Sequence, residues 1–199
     1  EFITPETEHL TIVKSAEVNI VERPKMVFSD ELIPQFQLGV SDIRIELSHL
    51  VMLQQAAIAL LNEAQREILI ITPDLEHDRF DNDDFCEALS AFVRSSRYTN
   101  TRILIADPQL AIEDGHRVIK LMRRISSLIE IRQVHEHDLE HIQTIIIADN
   151  VGLLRCTNRD PWQGSLLPKG TPYAQQMRNQ FMEFWERADE ITDFRELKI

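Results

Sequence analysis

Residues 66–75 read Arg66-Glu67-Ile68-Leu69-Ile70-Ile71-Thr72-Pro73-Asp74-Leu75. The all-apolar run at its centre, stopped by Thr-Pro-Asp, describes a strand buried on both faces. Ahead of it, Leu47, Leu50, Val51, Leu53, Ala57, Leu60 and Leu61 keep helical spacing without a Gly or Pro, so a helix leads into the strand. The pattern repeats downstream. Phe85, Leu89, Phe92 and Val93 mark a second helix, preceded by Asp81, Asp83 and Asp84, where a helix N-terminus favours negative charge. Ile103-Leu104-Ile105-Ala106 is a second buried strand, stopped by Asp107-Pro108. Val118, Leu121, Met122 and Ile125 give a third helix starting near Asp114, and residues 129–134 alternate as a strand with one partly covered face.

Two more strands, at residues 144–148 and 151–155, flank Asp149-Asn150, a pair suited to a tight hairpin. A polar loop over residues 158–171 leads to a last helix in which Met177, Phe181, Phe184, Trp185 and Ala188 form one apolar face. This order of elements predicts an α/β sandwich with a mixed, mainly parallel sheet flanked by helices. Residues 1–44, where prolines interrupt short β-branched pieces, read as an N-terminal approach segment of strands or linker; residues 45–199 form the α/β domain.

Composition narrows the function classes. The chain has 199 residues, 43% of them hydrophobic, with a net charge of -12. The length suffices for a sizeable core. The acidic balance disfavours nucleic acid as a partner, because phosphate neutralisation needs clustered Lys and Arg. No apolar run is long enough to span a membrane. Cys86 and Cys156 carry no metal-motif spacing and suit a reducing, cytoplasmic setting. The opening Glu1-Phe2-Ile3-Thr4-Pro5 is neither a signal peptide nor an initiator Met, so the chain reads as part of a longer protein.

The densest polar cluster is His135-Glu136-His137-Asp138-Leu139-Glu140-His141. Taken literally, His137-x-x-Glu140-His141 is an inverted zinc-protease pattern, but that chemistry needs a helix and a third ligand, and here the motif lies in a strand-to-strand connection. A metal-binding loop without catalysis is the lesser alternative for this cluster; the expectation is no metal and no cofactor. Another frame fits better. The phospholipase D superfamily carries H-x-K-x4-D-x6-G-S-x-N before and through a strand hairpin, and the chain resembles it with His141, Gln143, Ala148, Arg155, Cys156 and Asn158 at those positions. The His and the final Asn are in register; Lys has become Gln143, Asp has become Ala148, and Gly-Ser has become Arg155-Cys156.

From about residue 45 to about residue 190 the chain is similar to an uncharacterised bacterial phospholipase D-like domain often found behind an acetyltransferase domain of the GNAT type. Ile70-Ile71-Thr72-Pro73-Asp74-Leu75, Arg102-Ile103-Leu104-Ile105-Ala106-Asp107-Pro108, Gly115-His116-Arg117, Ser127-x-Ile129-Glu130-Ile131-Arg132 and Phe184-Trp185-Glu186-Arg187 carry the likeness.

The resemblance implies a His nucleophile for phosphoryl transfer, a Lys holding the phosphate, and a second motif supplied by a partner subunit. With Gln143 and Ala148 in place of Lys and Asp, the charge that such chemistry requires is missing. The expectation is a non-catalytic accessory, regulatory or interaction domain of a cytoplasmic bacterial protein, a homodimer with an acetyltransferase domain in cis. It would keep a pocket for a small anion or phosphate, with His141, Asn158, Arg155, Gln143, His116 and Asp74 as candidate ligand-binding residues; Arg155 would restore the charge lost at Gln143. The alternative is a phosphodiesterase or nuclease using His141 across a homodimer interface, and the acidic charge weighs against the nuclease.

Plainer readings stand beside these. His141 and Asn158 would satisfy one another and the loop backbone. The basic row His116, Arg117, Lys120, Arg123 and Arg124 would be a solvated helix face. The acidic stretch over residues 76–84 would serve capping and solubility, Cys156 would be a small apolar residue, and Trp185 would belong to the core.

Overall fold

The computed structural model describes residues 31–195; the β-branched pieces near residues 12 and 20 lie outside them. In chain order the elements are β1 (Ile45–Leu47), α1 (Leu50–Glu63), β2 (Glu67–Thr72), α2 (His77–Phe80), α3 (Asp83–Arg94), β3 (Asn100–Ile105), α4 (Gln109–Glu113), α5 (Arg117–Arg124) and β4 (Ile129–Gln133). A 3₁₀ turn (Glu136–His141) then leads to β5 (Ile145–Ala148), β6 (Gly152–Arg159), β7 (Trp162–Leu167), α6 (Tyr173–Arg187), β8 (Asp189–Glu190) and a final 3₁₀ turn (Thr192–Arg195).

The strands form one sheet in the order β1-β7-β6-β5-β2-β3-β4-β8. Alternation along β2 divides the core into two layers. Ile68 and Ile70, with Ile103, Ile105 and Ile146, pack under α1, α3 and α5. Leu69 and Ile71, with Leu104, Ile145, Ile147 and Leu153, pack under α6. The doubly buried runs read from the sequence are thus the centre of an α/β sandwich.

The sheet is less parallel than expected. Among the described residues, β2 pairs parallel with β3 and β3 with β4, whereas the five other pairings are antiparallel. Parallel neighbours need a crossover, which α3 and α5 provide; β5, β6 and β7 follow one another through short turns and must run antiparallel. β5 enters beside β2 with Ile145 opposite Ile71 and Ala148 opposite Ile68. The hairpin at Asp149-Asn150 has both residues at positive φ, 50° and 60°, as its residue types favour. The Asp149 carboxylate accepts the backbone N–H groups of Gln65, Arg66 and Glu67 at 2.7, 2.8 and 2.8 Å.

The expected loop over residues 158–171 contains β7, whose Trp162-Gln163-Gly164-Ser165 opening lacks strand periodicity. Gly164 is required by contact: a Cβ there would collide with the Arg155 carbonyl oxygen on β6 and stand 2.8 Å from Leu53 Cδ2. The last described residues of the approach segment run along the domain surface. Leu32 N–H donates to Gln55 Oε1 at 2.8 Å, Gly39 N–H donates to the Pro168 carbonyl at 2.9 Å, and β1 pairs with β7. No helix among the described residues is long and apolar enough to cross a membrane.

Candidate functional site

Pairing of Ile71 with Ile145, and of Ile145 with Arg155, brings three segments to one end of the sheet. These are the turn after β2, the approach to β5 and the far end of β6. Carboxyl ends of parallel strands are where α/β folds gather polar groups. Here they gather Asp74, Glu76, Gln143, Thr144, Arg155, Asn158 and Arg159.

A buried carboxylate organises this end. Glu76 is 5% exposed. Its Oε2 accepts from Thr72 Oγ1 at 3.0 Å, and its Oε1 accepts from Thr144 Oγ1 and, at 3.2 Å, from Arg159 Nε. The outer edge of the Arg159 guanidinium grips Asp74 through Nη1 at 3.0 Å and Nη2 at 2.6 Å. Hydrogen bonding to Asp74 raises the proton affinity of Arg159, burial opposes it, and the charges of Glu76 and Asp74 add to it. Behind Glu76, the fully buried Arg79 places Nη1 3.8 Å from the carboxylate and its guanidinium 5.1 and 5.6 Å from the Trp162 and Phe80 rings. Its three guanidinium nitrogens have no hydrogen-bond partner among the described residues, so Glu76 and the ring faces balance its charge.

The expected ligand residues are engaged in separate arrangements. Gln143 and Arg155 meet: Arg155 Nη2 donates to Gln143 Oε1 at 3.2 Å on the exposed surface. Asn158 closes its own turn, donating from Nδ2 to the Asp160 carbonyl at 3.1 Å and accepting Asp160 N–H at Oδ1, 3.4 Å away. Asp74 is held by Arg159. The His141 backbone ends the 3₁₀ turn just before β5, where Asp138 is tied to Arg187 on α6 at 2.9 and 3.1 Å. Ala148 is fully buried in β5. Cys156 is buried, with Sγ 3.1 Å from the Asn158 carbonyl.

His116 lies one layer deeper. It caps α5, its Nδ1 accepting Val118 N–H at 3.2 Å, and is 1% exposed. Asp81 Oδ1 is 3.9 Å from Nδ1, and His77 Nε2 is 2.8 Å from Asp81 Oδ2. Burial pushes the imidazole below its ordinary pKa, and the Asp81 charge and the neighbouring Leu75 backbone only partly oppose this; among the described residues Nε2 makes no well-formed hydrogen bond. Burial by itself would raise the Asp81 carboxyl, but Arg117 N–H and the charges of His116, His77 and Arg117 together bring it below the usual value. Burial, followed by the Asp81 charge, pushes the Cys86 thiol up to about 11.

Because the folded state holds His116 with a depressed pKa, the unfolded chain takes up its proton first as pH falls. Its stabilising contribution is complete above the unfolded pKa of about 6.5 and declines as pH drops from there towards the folded value. The urea midpoint of the wild type should therefore fall between about pH 7.5 and about pH 5.5, and that fall should flatten in His116→Asn, which retains a capping side chain. An equal fall in the two proteins would remove His116 from this account.

Two expectations need correcting. The stretch over residues 76–84 is not a solvated acidic surface. Asn82 caps α3 through Phe85 N–H at 2.8 Å, but Glu76, Arg79 and Phe80 are buried and Asp81 bridges elements. The basic row on α5 is partly engaged within the chain: Arg117 pairs with Asp81 and Asp83, and Arg123 Nε donates to the Phe194 carbonyl. Sequence reasoning missed Glu76, Arg79, Thr144 and Arg159; the available signal was Arg159 directly after Asn158 and Glu76 in the same turn as Asp74.

Comparison with known proteins places this geometry. The fold is similar to that of TrmBL2, an archaeal chromatin protein described with a novel mode of DNA binding (TM-score 0.56, 16% identity, 74% of this chain and 54% of that one). It is also similar to Nuc from Salmonella typhimurium, a phospholipase D family member (0.51, 17%, 71% and 89%). A third similar structure is the phosphatidylserine synthase of Haemophilus influenzae Rd KW20 (0.56, 12%, 78% and 41%). The chain thus spans about half of the chromatin protein and less of the synthase. At these identities the likeness establishes the phospholipase D-like fold. No curated protein sequence matches the chain. Residues 49–197 match the family described as a domain of unknown function, DUF7931.

Proposed function

For a chain that belongs to the DUF7931 family and has a phospholipase D-like fold, we propose a non-catalytic role as an accessory or regulatory domain of a cytoplasmic bacterial protein. The observation that carries this reading is the pairing of Gln143 with Arg155 at 3.2 Å. Where the resembling superfamily has a phosphate-holding Lys, this chain has a neutral amide, and the nearest cation comes from the next strand. Ala148, at the position of the motif Asp, is a buried methyl in mid-sheet. A His nucleophile attacking a phosphodiester needs positive charge arranged around the equatorial oxygens, and neither substitution supplies it.

A weak anion site formed by Arg155 and Gln143 beside His141 is part of the proposal, as are homodimerisation and an acetyltransferase domain in cis. Assays with a chromogenic phosphodiester test the central reading: wild type and His141→Ala should both run at the uncatalysed background rate. Turnover that disappears in His141→Ala would replace this reading with that of a phosphodiesterase working across a homodimer.

A further inference from the structure

Arg159 presents two edges to two carboxylates, and they differ in how firmly they are held. On the inner edge, Nε and Nη2 lie 3.2 and 3.1 Å from Glu76 Oε1. The Glu76 side chain is 3% exposed and also takes the Thr72 and Thr144 hydroxyls. On the outer edge, Nη1 and Nη2 hold Asp74, whose side chain is 30% exposed and whose carboxylate has no other hydrogen-bond partner among the described residues. One partner is anchored and the other can swing into water.

The turn joining these carboxylates is strained. Leu75, between them, is buried at φ 59°, a left-handed conformation that costs a branched aliphatic residue energy. Its N–H is tied to Thr72 Oγ1 at 3.1 Å. Asp74, the residue immediately before Leu75, is the one that Arg159 grips. An arginine edge that donates two parallel hydrogen bonds to a carboxylate matches two oxygens of a phosphate equally well. Because Glu76 fixes the inner edge, the fork stays in place when Asp74 leaves.

We propose that the outer edge of Arg159 is a receptor for a tetrahedral oxyanion, a phosphate or phosphate monoester, and that Asp74 is its built-in competitor. The incoming anion takes Nη1 and Nη2, Asp74 turns out to solvent, and the strained turn at Leu75 is released. Occupancy is thereby converted into a change of loop conformation beside the His141 segment. This site goes beyond the Arg155–Gln143 pair and does not depend on it.

Titration of the whole chain with inorganic phosphate and with phenyl phosphate, at constant ionic strength, tests the proposal through the backbone amide signals of Asp74, Leu75 and Arg159. Wild type should bind weakly with shifts at these amides. Asp74→Asn should bind about tenfold more tightly, the scale of one charge-assisted contact; Arg159→Gln should abolish the shifts at the Asp74 and Leu75 amides, whatever anion the Arg155–Gln143 pair still holds. Preference for phenyl phosphate over inorganic phosphate would identify the source as an ester, and the reverse as the free anion. If Asp74→Asn binds no more tightly than wild type, or Arg159→Gln keeps the shifts at those amides, the proposal fails. Asp74→Ser serves the same comparison should the amide disturb the fold. Loss of binding in Arg155→Ala with retention in Arg159→Gln would move the anion to the Arg155 pair and overturn this inference alone.

Discussion

Replacing Glu76 with alanine is expected to cost the fold about 3–5 kcal/mol, the range for removing one partner from a buried ion pair. The loss leaves the guanidinium of Arg79, which is fully buried, without the carboxylate that lies 3.8 Å from it, and takes from Arg159 its inner anchor. It also strips the Thr72 and Thr144 hydroxyls of their acceptor. Glu76→Gln, which retains the shape and one acceptor oxygen, should cost clearly less. Urea denaturation of the three proteins at neutral pH measures both effects. A cost below about 1 kcal/mol for the alanine variant would place it among ordinary surface changes and refute the organising role given to Glu76.

Phe181→Ala should be of comparable size, about 3–5 kcal/mol, through a different mechanism. α6 is the helix that covers the second face of the sheet, and Phe181 is its fully buried centre, stacked on Trp185 with centroids 5.6 Å apart. Truncation opens a cavity over Leu69, Ile71 and Ile147, and the sheet beneath is too rigid to fill it. Tyr173, on the same helix but 63% exposed, is the control: Tyr173→Ala should stay within about 0.5 kcal/mol. Thermal or urea melts that rank the two variants equally would show that α6 is not the lid of this core layer.

These effects bear on how much could be read beforehand. β2, β3 and β5 were legible because each is an aliphatic run buried on both faces, a pattern that few other structures accommodate. The hairpin was legible because Asp149 and Asn150 both tolerate positive φ. β7 was not, since its Gly164 answers to a carbonyl on β6 rather than to any local periodicity. Strand order was not either: the antiparallel entry of β5 beside β2 joins residues far apart in the chain, and no local signal specifies it.

The site divides in the same way. A motif frame pointed to Gln143, Arg155 and Asn158, and the strand pairings bring these three to one end of the sheet. Glu76 and Arg79 were hidden in a charged stretch that resembled solvated surface, because the groups that make their burial tolerable, Thr144, Arg159 and Trp162, come from the approach to β5, from β6 and from β7. Burial of charge is a property of the assembled end of the sheet, and only its partners reveal it.

Taken together, the arrangement describes a phospholipase D-like fold whose motif end is organised by internal ion pairs. In the superfamily that the motif resembles, the chemistry passes through a covalent phosphoryl group on a histidine, so the most direct measurement looks for that bond at His141. The whole chain is incubated with a phosphodiester, quenched in base, where phosphohistidine survives, and its intact mass determined beside His141→Ala. The account predicts identical, unmodified masses for both apart from the substitution itself. A phosphoryl adduct on the wild type that is missing from His141→Ala would contradict it.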